Sequence, residues 1–358
     1  MVTIREYFQI AQKKKASDIY LSVGSCPWLK IHGELHPLNT HPALSEEEID
    51  GLAREVVPPG KLPDYKAHRD TVSACTIEGL GRLRITFSEG RNGLTMACRL
   101  IPLEVPDFET LGLPPVLKRM VSEGSGLILV IGRAGSGKTT TLACLINTIN
   151  QHFQKSIITV EQPVEFLHAN KRSFIEQTRP HETGIPFENL RHTGFLKAAD
   201  VMVIDGLEPE ETLPPALSAA TEGLLVLATV ASNGGVAEVL KRFLDACPAA
   251  GRENRRRLLA RTLRGAIWQH LLPLKTGVGS IPAVEFLIND PVISRLINRE
   301  GSLHLIRPTM AAGRHKGMQT MFQALERIKR KSLVQEEVMD EFQTAMLAHY
   351  VYPAKAGF

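Results

Sequence analysis

The segment Gly132-Arg133-Ala134-Gly135-Ser136-Gly137-Lys138-Thr139 constrains this chain more than any other. The apolar run Leu127-Ile128-Leu129-Val130-Ile131 before it reads as a buried strand. Thr140-Thr141-Leu142-Ala143-Cys144-Leu145-Ile146 after it reads as the start of a helix. A glycine turn between a buried strand and a helix is the context that a phosphate-binding (Walker A) loop requires. Backbone N–H groups of the turn and of the helix start, through Thr140, are then aimed at phosphate oxygens. Lys138 is placed to reach β- and γ-phosphates, and the Thr139 hydroxyl to ligate Mg²⁺. The motif predicts a bound nucleotide and leaves its hydrolysis open.

From about residue 107 onward, strands alternate with helices, the signature of a parallel sheet. Strands are expected at 127–131, 156–161, 201–205 and 225–230, and helices at 138–150, 187–198, 215–222, 236–246 and 254–270. Pro214-Pro215 sets the start of the third of these helices. The first hundred residues read as a smaller α/β domain. Ile4, Tyr7, Phe8, Ile10 and Ala11 recur at helical spacing, and Ser45-Glu46-Glu47-Glu48 has capping-box spacing. Segments 17–22 and 28–32 alternate as strands, and 82–87 and 94–99 pair around a Gly90–Gly93 turn. Pro102, Pro106, Pro114 and Pro115 mark a linker, so domains are expected at 1–102 and 103–358.

A chain of 358 residues is long enough for two cores, since single cores rarely grow beyond about 250–300 residues. The formal charge of +4 is too small to argue for nucleic acid, and the runs Lys13-Lys14-Lys15 and Arg255-Arg256-Arg257 read as solvated helix faces. No uninterrupted apolar stretch reaches the length of a membrane span, and the start lacks the apolar centre of a signal peptide. The five cysteines, Cys26, Cys75, Cys98, Cys144 and Cys247, show no paired spacing for zinc or redox chemistry and read as reduced core thiols of a cytosolic protein.

The order of short motifs resembles the type II/IV secretion ATPases and, within them, the type IV pilus retraction ATPases of twitching motility. That family's acidic box is matched by Thr159-Val160-Glu161-Gln162-Pro163-Val164-Glu165-Phe166, and its Walker B strand by Asp200-Val201-Met202-Val203-Ile204. Its next helix and strand are matched by 211–220 and 223–226, and a tail segment of the retraction members by Val292-Ile293-Ser294-Arg295-Leu296-Ile297-Asn298. The resemblance implies a PAS-like α/β N-terminal domain, a RecA-like P-loop NTPase domain and ATP with Mg²⁺ held by Thr139 and Asp205. It further implies a hexamer, alone or mixed with an active homologue, at the cytoplasmic face of the inner membrane beside a pilus platform protein. Arginines from the first domain would reach the phosphates: Arg84 and Arg99 stand at the family's positions, and the third falls on Asn92, with Arg91 one place earlier. The alternative for these arginines is ordinary surface charge on an exposed sheet face.

Three departures from the family pattern fall on its chemistry. The Walker B strand of the family ends in Gly-Glu, whose glutamate polarises the attacking water; here the positions are Asp205-Gly206. The histidine of the family's histidine box is Ala231, and the aspartate of its acidic box is Gln162. Positioning a water through a general base contributes about 10²–10⁴-fold, so losing that group slows turnover without touching phosphate binding. Glu161 is retained as a catalytic candidate, and Glu208 would serve only if its loop turned inward. Glu208, Glu210 and Glu211 otherwise read as a solvated helix start, Glu165 as structural or catalytic, and His168, His181 and His192 as structural or exposed. The expected function is an ATP-binding hexameric motor of pilus retraction. The alternative is a nucleotide-binding accessory subunit acting with an active ATPase.

Overall fold

The computed structural model describes residues 2–57, 72–122, 124–178, 198–277 and 279–351. The helix expected over 187–198 falls almost entirely outside these residues, as do His181 and His192. Contacts divide the chain into two units, one of residues 1–105 with 162–167, the other of residues 106–161 with 168–358.

Among the described residues the first unit is a six-stranded antiparallel sheet with two helices. Its strands are β1 (Ala16–Ser22), β2 (Trp28–Ile31), β3 (Glu34–Pro37), β4 (Val72–Ile77), β5 (Gly81–Gly90) and β6 (Gly93–Ile101), ordered β3-β2-β1-β6-β5-β4. Helix α1 (Ile4–Lys13) buries Ile4, Tyr7, Phe8 and Ala11, and α2 (Glu46–Val56) buries Ile49, Leu52, Ala53 and Val56. Both open with a complete capping box, Thr3 with Glu6 and Ser45 with Glu48, so two of the donors at each start are satisfied locally. The hairpin closes where Gly90 meets Gly93, whose φ of +117° favours glycine.

The second unit is built on a seven-stranded sheet. Its strands are β7 (Gly126–Gly132), β8 (Ser156–Val160), β9 (Phe174–Thr178), β10 (Val201–Ile204), β11 (Leu225–Ala231), β12 (Leu263–Pro273) and β13 (Ser280–Ile288). The order is β13-β12-β7-β11-β10-β8-β9, parallel throughout except for β13, which runs antiparallel to β12. Every residue of β7 is buried, as a central strand covered on both faces must be. Its helices among the described residues are α3 (Val116–Ser122), α4 (Lys138–His152), α5 (Leu213–Thr221), α6 (Val236–Asp245), α7 (Ala249–Thr262), α8 (Pro291–Asn298), α9 (Ile306–Ala312), α10 (Met321–Arg330) and α11 (Glu336–Val351). The α/β first domain and the P-loop second domain are thus both present.

One expected element is corrected. The helix predicted over 254–270 stops at Thr262, and β12 begins at Leu263. The run Leu263–Gln269 carries apolar residues on both faces, because the strand lies between β7 and β13 inside the sheet. A short continuous apolar run has no period that separates strand from helix. Gly265 marks the difference: a Cβ there would meet the Met120 sulfur at 2.8 Å and the Leu287 carbonyl oxygen at 2.9 Å.

Candidate functional site

The site is the carboxyl edge of the parallel sheet, where β7, β11, β10 and β8 lie side by side. The last residues of β7 and β11 are opposite one another, Gly132 and Ala231, as are those of β10 and β8, Ile204 and Val160, with Ile204 also opposite Ala228 of β11. The chain therefore delivers Arg133, Ser232, Asp205 and Glu161 from four adjacent strand ends. In open parallel sheets ligands bind at this edge.

The glycine turn leaves β7 with Gly135 at φ +76° and Gly137 at φ +87°. Gly137 is also the N-cap of α4, which has no side-chain cap and no acidic residue in its first turn. By contrast α1, α2 and α10 each carry a capping box. The first N–H groups of α4 are thus left to a ligand, and the dipole favours an anion there. The Ser136 hydroxyl oxygen is buried without a hydrogen-bond partner among the described residues, and the Lys138 ammonium lies 2.9 Å from the Arg133 carbonyl oxygen, folded over the loop. Thr139 and Thr140 are half-buried in the first turn. The residues present fit a bound phosphate chain.

Asp205 follows β10, and its N–H donates to the Val160 carbonyl at 3.0 Å. The Thr229 hydroxyl, on the intervening strand β11, donates to the Asp205 carboxylate at 2.5 Å and accepts the Gly206 N–H at 2.8 Å. Gly206 has φ +96°, and among the described residues no atom beyond its chain neighbours lies within 4 Å of the position its Cβ would take. Glu161, 4% exposed, accepts from the Gln177 amide at 3.2 Å. Ala231 is exposed, and its carbonyl oxygen accepts from Arg242 at 2.9 Å.

The first unit places Arg84 and Arg99 opposite one another on β5 and β6, so their side chains share one face. Arg84 is ion-paired with Glu165 at 2.7 Å. Its neighbour Arg82 is buried and donates to the Val164 carbonyl oxygen twice, from Nε at 3.1 Å and from Nη2 at 2.7 Å. The last part of the acidic box, 162–167, is held by the first unit through these two arginines. Glu165 takes a structural contact here. Arg91 and Asn92 are exposed at the hairpin turn.

A family model described as "Type II/IV secretion system protein" matches residues 93–350. The chain belongs to that family. It is similar to the protein named "Twitching motility protein" of Neisseria gonorrhoeae, 32% identical over 312 residues, which is 87% of this chain and 82% of the relative. It is also similar to the "Type IV pilus retractation ATPase PilT" of Pseudomonas aeruginosa, 30% identical over 334 residues, 93% of this chain and 96% of the relative. A crystal structure of the pilus retraction motor PilT with bound ADP matches with a TM-score of 0.82 at 32% identity, over 95% of this chain and 97% of that one.

Two residues of this secretion-family chain that the sequence did not single out support the edge from below. Gln269 of β12 is 2% exposed; its amide donates to the Ser136 carbonyl at 2.7 Å and its oxygen accepts from the Thr141 hydroxyl at 2.9 Å. It ties the glycine turn to the first turn of α4. A Cβ at Gly132 would stand 2.3 Å from the Ser136 hydroxyl oxygen and 2.7 Å from the Gln269 carbonyl oxygen, so only glycine fits where the loop leaves the sheet. Glu285 of β13 is buried and accepts the N–H of Val236 at 3.1 Å and of Met321 at 3.4 Å. One carboxyl thereby joins the N-termini of α6 and α10 and fixes the far end of the loop that follows Ala231. Gln269 was hidden by the helix expected there; Glu285 carries no local signal beyond being a charge in an apolar strand.

A cavity of about 250 Å³ opens beside Arg133, walled by Ser232, Asn233, Glu238, Trp268 and His270. The His270 ring stacks on Phe342 at 4.2 Å, and burial, with the charge of Arg133, lowers its pKa to about 4. His168 is likewise lowered to about 4 by burial, so both imidazoles are neutral at pH 7. Among the described residues no His/Cys/Asp/Glu group could hold a metal by itself, and no helix is long and apolar enough to cross a membrane. Burial raises the thiols of Cys75 and Cys144 to about 11, which leaves them unreactive.

Proposed function

We propose that this protein is an ATP-binding motor subunit of the type IV pilus retraction machinery, working as a hexamer that couples nucleotide binding and hydrolysis to pilus disassembly. The observation that carries the reading is the uncapped start of α4 beneath the glycine turn, with Asp205 two strands away on the same edge. In this reading residues 132–140 bind the phosphates through backbone N–H groups, and Lys138 turns from the Arg133 carbonyl to the β- and γ-oxygens. Mg²⁺, when bound, would neutralise charge developing between those phosphates. Thr139 and Asp205 would hold it, with Thr229 fixing the orientation of the Asp205 carboxylate. Arg84 and Arg99 are the candidates for stabilising transition-state charge; Arg84 would have to leave Glu165 to do so. Glu161 is the carboxylate left to orient the attacking water.

A second reading is favoured by one place in the molecule. Gly206 presents no side chain where the related ATPases are expected to carry their water-activating glutamate, and Ala231 none where they carry histidine. With both groups absent, this subunit would bind ATP firmly and turn it over slowly, acting beside an active homologue within one ring. The test compares binding of a fluorescent ATP analogue with phosphate release, for the wild type and Lys138→Ala, alone and mixed with an active family member. Binding without appreciable release supports the accessory reading; steady release that Lys138→Ala abolishes supports the autonomous motor. Absence of nucleotide binding in the presence of Mg²⁺ overturns both.

A further inference from the structure

Basic charge is concentrated in one part of the second unit. Residues 291–331 hold nine Lys or Arg against two Glu, in a chain whose net charge is only +4. Four of these cations, Arg314, Arg327, Arg330 and Lys331, line a single groove of about 660 Å³. All four are exposed, and none of their side chains has an ion pair or hydrogen bond among the described residues. The adjacent Lys316, by contrast, is paired with Asp290. Among the described residues that line it, one is acidic, Glu326. Its floor is apolar, formed by buried Leu113 and Met318 beside half-buried Phe322.

The helix dipole accounts for part of this arrangement. Arg327 and Arg330 sit in the last turn of α10, where cations are favourable. It does not account for Arg314, which comes from the short helical turn Gly313–Lys316 before α10 and faces the same groove. Nor does it account for an apolar floor beneath unpaired charge. Like charges gathered around one concavity repel one another, and an acidic occupant removes that cost.

We propose that this groove docks an acidic, extended polypeptide segment of a partner protein. Its Asp and Glu side chains pair with Arg314, Arg327, Arg330 and Lys331, and an apolar side chain rests against Phe322. The shape selects a chain over a bilayer, because a flat headgroup layer meets protruding cations and not those lining a recess. The chemistry disfavours single-stranded nucleic acid, which needs open aromatic faces for stacking. Phe322 is the one aromatic residue among the described residues that line the groove, and the Arg307 guanidinium already lies 5.0 Å from its ring centre. The proposal is independent of how fast the protein hydrolyses ATP.

The experiment uses the full chain and a fluorescein-labelled peptide of alternating Glu and Asp with a central Leu, read by anisotropy at low and at physiological salt. The expected result is saturable, salt-sensitive binding, weakened about tenfold by Arg327→Ala/Arg330→Ala and by a similar factor by Arg314→Ala/Lys331→Ala. Both double variants should keep wild-type nucleotide binding and thermal midpoint, which separates a lost contact from a lost fold. Lack of saturable binding overturns the proposal, as does wild-type affinity in both variants. Tighter capture by phosphatidylglycerol vesicles or by oligo-dT than by the peptide also overturns it, in favour of a lipid or nucleic-acid surface.

Discussion

The Thr229 hydroxyl lies 2.5 Å from the carboxylate of Asp205, and the same oxygen receives the Gly206 N–H at 2.8 Å. One buried hydroxyl on β11 thus orients both residues that end the neighbouring strand. Replacing it by Val, nearly the same shape, removes the donor to the carboxylate and the acceptor for the amide. Thr229→Val should cost about 1–3 kcal/mol, read as a lower urea midpoint. It should also weaken Mg²⁺-dependent nucleotide binding more than binding measured in EDTA. Equal loss in both conditions would separate Asp205 from the metal.

Gly206 cannot simply be turned back into a glutamate. Among the described residues nothing crowds its Cβ position, but its φ of +96° is one that other residues adopt only with strain, at about 1–2 kcal/mol. Gly206→Glu should therefore destabilise the protein by that amount. In the variant that remains folded, phosphate release should rise by about 10²-fold if water activation is what the chain lacks. Unchanged release in a folded Gly206→Glu variant would place the limitation elsewhere.

Gln269 makes two buried hydrogen bonds that close the base of the phosphate loop, to Ser136 and to Thr141. Gln269→Leu leaves both partners buried and unsatisfied and should cost about 2–4 kcal/mol. Its distinguishing effect should be on the loop, with ATP affinity lowered roughly tenfold under conditions where the variant remains folded. Titration of the fluorescent nucleotide against circular dichroism checks the two effects separately.

Burial raises the Glu285 carboxyl from 4.5 to about 7, with Glu238 pushing in the same direction. The N–H groups of Val236 and Met321 and the charge of Arg307 oppose the shift without cancelling it. The folded chain holds this proton more tightly than the unfolded one. Its contribution to stability is therefore complete below pH 4.5 and lost as pH rises through about 7. Glu285→Gln, which cannot ionise, should be flat over that window where the wild type declines. Urea midpoints measured across the window for both proteins give the answer, and parallel curves would remove Glu285 as the source.

The phosphate loop was legible because its whole specification is local. Glycines with positive φ, a buried strand before them and a helix start after them are all consecutive in the chain. The capping boxes at Thr3 and Ser45, the Gly90–Gly93 hairpin and the helix opening at Pro214-Pro215 were legible for the same reason. Strand β12 was not. Its residues read equally as a buried helix, and the choice was made by the free edge of β7 on one side and by β13 on the other. With β12 went Gln269, whose partners lie 133 and 128 residues away. The destination of the acidic box was hidden too, because nothing in Gln162–Leu167 says that Arg82 and Arg84 will hold it in the first unit.

By itself, then, the sequence determined that this chain has a phosphate-binding loop, that Gly206 and Ala231 stand where related ATPases carry catalytic side chains, and to which family it belongs. These are properties of short consecutive segments, fixed by backbone conformation and residue chemistry. Only the tertiary structure decided how that loop is supported and what each charge meets. Asp205 is oriented by Thr229, the loop rests on Gln269, Glu285 joins two helix starts, and four cations line one groove. Each of these depends on residues brought together across the chain by the burial of apolar strands, an energy that belongs to the whole fold and not to any single segment.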